Sequence, residues 1–100
     1  MYQCKFQDEF IDGLFEALQL LETKEEYYRF FEDICTVSEL KAIAQRLEVA
    51  KMLNDDKIYQ DIVNKTGAST ATISRVNKCL KYGADGYKIV LERLEQKNER

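Results

Sequence analysis

One hundred residues supply a single modest core, and a chain that is 45% hydrophobic is globular rather than disordered. It has no histidine, which excludes a histidine base, a His–Cys nucleophilic pair and most zinc sites. The net charge of −3 is uneven: residues 1–56 carry six Lys/Arg against thirteen Asp/Glu, whereas residues 57–81 carry five against Asp61 alone.

That basic island (Lys57, Lys65, Arg75, Lys78 and Lys81) points to a localised polyanion contact in an otherwise acidic chain. Cys4, Cys35 and Cys79 are widely spaced and form no CxxC pair, so they read as small buried thiols in a reducing compartment. The acidic pairs Glu25-Glu26, Glu32-Asp33 and Asp55-Asp56 fall near helix starts or in a polar turn. Nothing pairs with them to make a site, so no enzyme and no metal centre is expected. The opening MYQCKFQDEF is neither a signal nor a transit sequence in character, and no apolar run is long enough to span a bilayer. A cytoplasmic protein is the expectation.

With no proline and no sustained period-two alternation, the fold class reads as all-α. The spacing predicts a first helix over 6–22. There Phe6, Phe10, Ile11, Leu14, Phe15, Ala17, Leu18, Leu20 and Leu21 cover an arc of roughly 220°. So wide an apolar face exceeds what one packing partner needs, and it implies a dimer. Thr23 with Glu26 forms a capping-box pattern before KEEYYRFFEDIC, the second helix. Thr36 with Glu39 repeats it before a third helix over 37–53, whose expected apolar face is Leu40, Ile43, Leu47, Ala50 and Leu53. NDDK then ends that helix in a turn.

A short helix over 58–66 stops at Gly67, a natural left-handed residue, and Ser69 caps the next helix over 70–81. Tyr82-Gly83 ends that one, and Asp85 is read as the cap of a final helix turning Ile89, Val90, Leu91 and Leu94 inward. The two short helices around Gly67 make a helix–turn–helix candidate. On the helix from Thr70, Ile73, Val76 and Leu80 cluster within about 60°, a packing stripe. Thr70, Ser74, Asn77, Lys78 and Lys81 lie opposite, with Ala71 and Arg75 at the margin. Small hydroxyl and methyl groups at the front of such a helix allow close approach to base edges, and lysines behind them reach phosphates. The reading therefore assigns base contacts to Ser69, Thr70, Ala71 and Ser74, and phosphate contacts to Lys65, Lys78 and Lys81.

CTVSELKAIAQRLEVAKML followed by TGASTATISRVNKCLKYG resembles the tryptophan-repressor superfamily, in particular its YerC/YecD branch. The likeness is tightest over 35–83. It implies a six-helix subunit with a helix–turn–helix, in an intertwined homodimer whose two reading helices face a palindromic duplex about 34 Å apart. It also implies one domain over 1–100, comprising a helical dimerisation core (1–56), the helix–turn–helix (57–83) and a C-terminal helix (84–100). By position, the family's corepressor pocket would involve Thr36, Arg46 and Arg75, the arginines suiting a carboxylate. Val76 stands where the tryptophan repressor has a glycine, and its methyls would fill space that an indole needs.

The expectation is a homodimeric DNA-binding transcriptional regulator, a repressor in sense, working without tryptophan or any other cofactor. Arg46 and Arg75 would then pair with glutamates. Two rivals stand beside it. One is a repressor gated by an amino acid or aromatic carboxylate at Arg46 and Arg75. The other is a dimeric protein-interaction module that docks through its acidic half, with Asp8, Asp12 and Glu16 at the contact.

Overall fold

A computed structural model describes residues 2–98. Among these residues there are six helices and no strand: α1 (Glu9–Leu18), α2 (Lys24–Ile34), α3 (Val37–Asn54), α4 (Tyr59–Thr66), α5 (Thr70–Tyr82) and α6 (Gly86–Asn98). None is long and apolar enough to cross a membrane. The chain divides into two compact units, Met1–Val37 and Ser38–Arg100.

In the first unit, α1 is shorter than the spacing predicts. The Asp8 carboxylate accepts the Ile11 amide at 2.7 Å and sets the helix start at Glu9, which leaves Phe6 outside. Beyond Leu18 the chain tightens, with the amides of Leu20 and Leu21 donating three residues back to Ala17 and Leu18. α2 opens on the expected capping box: Thr23 Oγ1 accepts the Glu26 amide at 3.2 Å, and Glu26 Oε1 accepts the Thr23 amide at 3.3 Å. Cys35 turns extended and ends the helix one residue earlier than the sequence reading has it. No residue of α1 or α2 is buried, and Phe10 and Phe15 are 85% and 55% exposed.

The second unit holds the core: Val49, Ala50, Met52, Ile62, Ala68, Ile73, Val76 and Leu91, flanked by half-buried Leu47, Leu53, Val63, Leu80, Tyr87 and Leu94. The buried part of α3 differs from its predicted face. Leu40 and Ile43 are exposed, while Val49 and Met52, outside that face, are buried. The reason is where neighbours lie, because the core gathers on the second half of α3. That helix ends with the Lys57 amide on the Met52 carbonyl and the Asp56 amide on that of Leu53. Asp56 takes the left-handed position (φ 59°) of this Schellman turn.

α4 ends at Gly67, whose φ is 72° and whose amide donates to the Val63 carbonyl at 2.9 Å. No atom stands within 4 Å of a Cβ built there, so Gly67→Ala meets no clash and is opposed by the backbone alone. The variant is expected to lose about 1–2 kcal/mol, the cost of a left-handed residue with a side chain. Thermal unfolding checks this, and an unchanged Tm would show that the turn does not require the left-handed state.

α5 buries Ile73 and Val76 and half-buries Leu80, as the stripe predicts. It stops at Gly83, where a Cβ would overlap the Cys79 carbonyl that accepts the Gly83 amide. Asp85 stands at the capping position of α6, its carbonyl accepting the Ile89 amide at 3.0 Å, with its carboxylate 3.5 Å from Lys88 Nζ and its backbone left-handed (φ 66°). The expected inward face of α6 is corrected. Leu91 is buried and Leu94 half-buried, but Ile89 and Val90 are exposed, lying about 160° and 100° around the axis from Leu91. The thiols also depart from expectation. Cys79 is exposed at the margin of the α5 stripe, and Cys4 and Cys35 are half-buried in a unit whose helices bury nothing.

Candidate nucleic-acid interface

Side-chain bonds fix the turn between α4 and α5. Thr66 Oγ1 donates to the Ile62 carbonyl at 2.7 Å and accepts the Ala68 amide at 3.1 Å. Gln45 Nε2, on α3, donates to the Thr66 carbonyl at 3.1 Å. Ala68 is buried, so the corner is held from inside as well. Ser69 then caps α5, its Oγ accepting the Thr72 amide at 3.1 Å and lying 3.1 Å from Thr72 Oγ1. A residue assigned to base contact therefore already has a structural task, although it remains exposed.

With Ile73 and Val76 turned into the core, the rest of α5 has its orientation set. Thr70, Ala71, Ser74, Lys78 and Lys81 are all exposed, and α5 carries no acidic residue. Lys65 is placed differently. Its Nζ lies 3.1 Å from Glu48 Oε1 on α3, and Lys51 Nζ approaches Glu48 Oε2 at 3.9 Å. The sequence reading missed Glu48, because a pair between two helices leaves no local signal.

Arg46 and Arg75 come together, as the family likeness implies. They line a hollow of about 130 Å³ with Thr72, Val76, Cys79 and Tyr87. Thr36 belongs to the other unit, immediately before α3. Among the described residues neither arginine enters an ion pair, so the expected pairing with glutamates is not formed. Tyr87 was not foreseen. Burial pushes its phenol up from the ordinary value and Cys79 adds to this, while Arg46 and Arg75 pull the other way. A larger hollow of about 570 Å³ lies along Lys51, Asn54, Asp55, Leu91, Leu94, Glu95 and Asn98 and takes no residue from α5.

The family model described as Trp repressor protein matches residues 9–95, from the start of α1 into the last turns of α6. The chain belongs to the Trp repressor family. It is 49% identical over 92 residues to the uncharacterized protein YerC of Bacillus subtilis (strain 168), covering 92% of this chain and 88% of that one. A TrpR-like protein from Eubacterium eligens ATCC 27750 superposes with a TM-score of 0.87 at 53% identity, over 91% of this chain and 94% of the other. A Staphylococcus aureus protein provisionally assigned as a Trp repressor gives 0.86 at 46% identity, over 91% of each chain. The fold is thus that of the Trp repressor family throughout the matched span. Within that fold, the exposed polar side of α5 and the hollow beneath it are the features with chemistry to offer.

Proposed function

We propose that this Trp repressor family member is a sequence-specific DNA-binding transcriptional regulator acting as a homodimer. The observation that carries the reading is the exposed side of α5. Small Thr70, Ala71 and Ser74 stand forward, Lys78 and Lys81 stand behind, and no carboxylate lies on the helix to repel phosphate. The N-terminal end of a helix also favours anions. Small side chains let the helix seat deeply in a major groove, with hydroxyls toward base edges and ammonium groups toward phosphates. α4, the Gly67 turn and α5 would be the helix–turn–helix.

Dimerisation fits the exposed Phe10, Phe15 and Leu20 of the first unit, apolar surface that a monomer leaves in water. A two-fold dimer presents two copies of α5 and therefore favours a palindromic site. In this reading the protein represses by occupying its site, and a cytoplasmic location goes with a DNA target. Selection of bound fragments from genomic DNA tests the reading. Recovery of no enriched sequence would refute it.

Tryptophan is not the effector in this reading. The hollow at Arg46 and Arg75 measures about 130 Å³, and Val76 forms one wall of it. Ordinary small-molecule sites start near ~300 Å³. Adding tryptophan at millimolar level is therefore expected to leave the Tm unchanged. A rise of several degrees would establish binding, since a ligand at about 100 times its Kd adds ~2.7 kcal/mol. One observation favours a gated variant: two guanidiniums that form no ion pair among the described residues line the same hollow. A thermal-shift screen with small carboxylates separates it from the ligand-free regulator.

A further inference from the structure

We propose that Glu48 sets the DNA affinity of this protein by holding Lys65 on α3, away from the phosphate backbone. The inference rests on the DNA-binding reading and adds to it a residue outside the reading helix. Lys65 stands in the last turn of α4, two residues before Gly67 and four before the Ser69 cap of α5. A lysine there is well placed for the phosphate that would flank the front of α5. Its Nζ is instead 3.1 Å from Glu48 Oε1. The Glu48 side chain is 34% exposed, so its charge is partly shielded from solvent, while the lysine is 64% exposed and free to swing.

Three charges make the arrangement adjustable. Glu48 holds Lys65 through one oxygen and meets Lys51 more distantly, at 3.9 Å, through the other. A phosphate competing for Lys65 must break the shorter pair and approach a carboxylate that repels it. An exposed pair of this kind stabilises a fold by only ~0–1 kcal/mol, so its removal leaves folding nearly intact. Its effect on a polyanion is larger, because a lysine neutralised by a carboxylate displaces no counterion. The tie through Gln45 to Thr66 remains in place without Glu48, so the corner keeps its position.

The test compares the full-length protein with Glu48→Gln, Lys65→Gln and the double variant. The probe is a fluorescein-labelled mixed-sequence duplex of about three helical turns, titrated from about 50 to 200 mM salt. Glu48→Gln is expected to bind about tenfold more tightly at the low end. Its log–log salt slope should be steeper by ~0.9 for each protomer, the value of one recovered phosphate contact. Lys65→Gln alone should leave the wild-type slope unchanged, and in the double variant it should cancel the gain. Identical slopes for wild type and Glu48→Gln would overturn the role of Glu48 and leave the DNA-binding reading standing. A loss of slope in Lys65→Gln alone would overturn it too, since Lys65 would already be on phosphate. No binding by any of the four at low salt would defeat the DNA-binding reading and this proposal with it.

Discussion

Replacing Lys78 and Lys81 together by glutamate is expected to lower duplex affinity by about a hundredfold or more at ~50 mM salt. The magnitude follows from counterion release. Each phosphate contact contributes ~0.9 to the salt slope, so losing two contacts flattens the slope by nearly two for each protomer of the dimer, and the new carboxylates add repulsion. The structure makes this a clean substitution. Both lysines are exposed, neither enters an ion pair among the described residues, and the side of α5 that they occupy lies away from buried Ile73 and Val76. Stability should fall by no more than ~1–2 kcal/mol, the cost of carboxylates toward the C-terminal end of a helix. Fluorescence anisotropy over a salt series, with circular dichroism as the folding control, measures both quantities. Unchanged affinity in a folded variant would remove α5 from the DNA interface. A variant that loses affinity only because it unfolds would make the lysines structural.

The parts of this fold that could be read in the sequence are those whose cause is local. Thr23 with Glu26, Gly67 and Ser69 each act within three or four residues, and the helices they bound begin or end where expected. Asp8 is equally local, yet the apolar run through Phe6 masked it, and α1 came out too long at both ends. Burial was harder to foresee, because apolar spacing marks a face without saying which part of it another helix covers. Leu40 and Ile43 have the right period on α3 and stay exposed, while Val49 and Met52 sit where the core gathers. The same limit governs the site. The side of α5 offered to solvent follows from its own sequence, so Thr70, Ala71, Ser74, Lys78 and Lys81 are exposed as the spacing predicts. Glu48 on Lys65 and Tyr87 beneath Arg46 and Arg75 join separate helices, and only the folded chain brings them together.

The buried side of α5 carries the second large effect. Ile73 is fully buried, in a cluster drawing on α3 through Val49 and Ala50, on α4 through Ile62 and on α6 through Leu91. Ile73→Ala removes atoms from the middle of that cluster, where neighbours on three other helices limit how far it can collapse. The expected loss is about 2–5 kcal/mol. At roughly 4–8 °C per kcal/mol for a domain of this size, the Tm should fall by at least ~8 °C. Ile73→Val keeps most of the volume and should cost only about 0.5–1.5 kcal/mol. Thermal unfolding of the pair checks the grading, and similar small losses for both would mean that the cluster does not anchor α5. The comparison also separates the two sides of one helix. Thr70→Ala and Ser74→Ala on the exposed side should change which duplexes are bound while the Tm holds, because neither side chain contributes to the core. Ile73→Val should shift the Tm and leave duplex preference unaltered. A helix that showed both effects from either side would not be a rigid reading element seated on a core, and the assignment of Thr70 and Ser74 to base edges would lose its geometric basis.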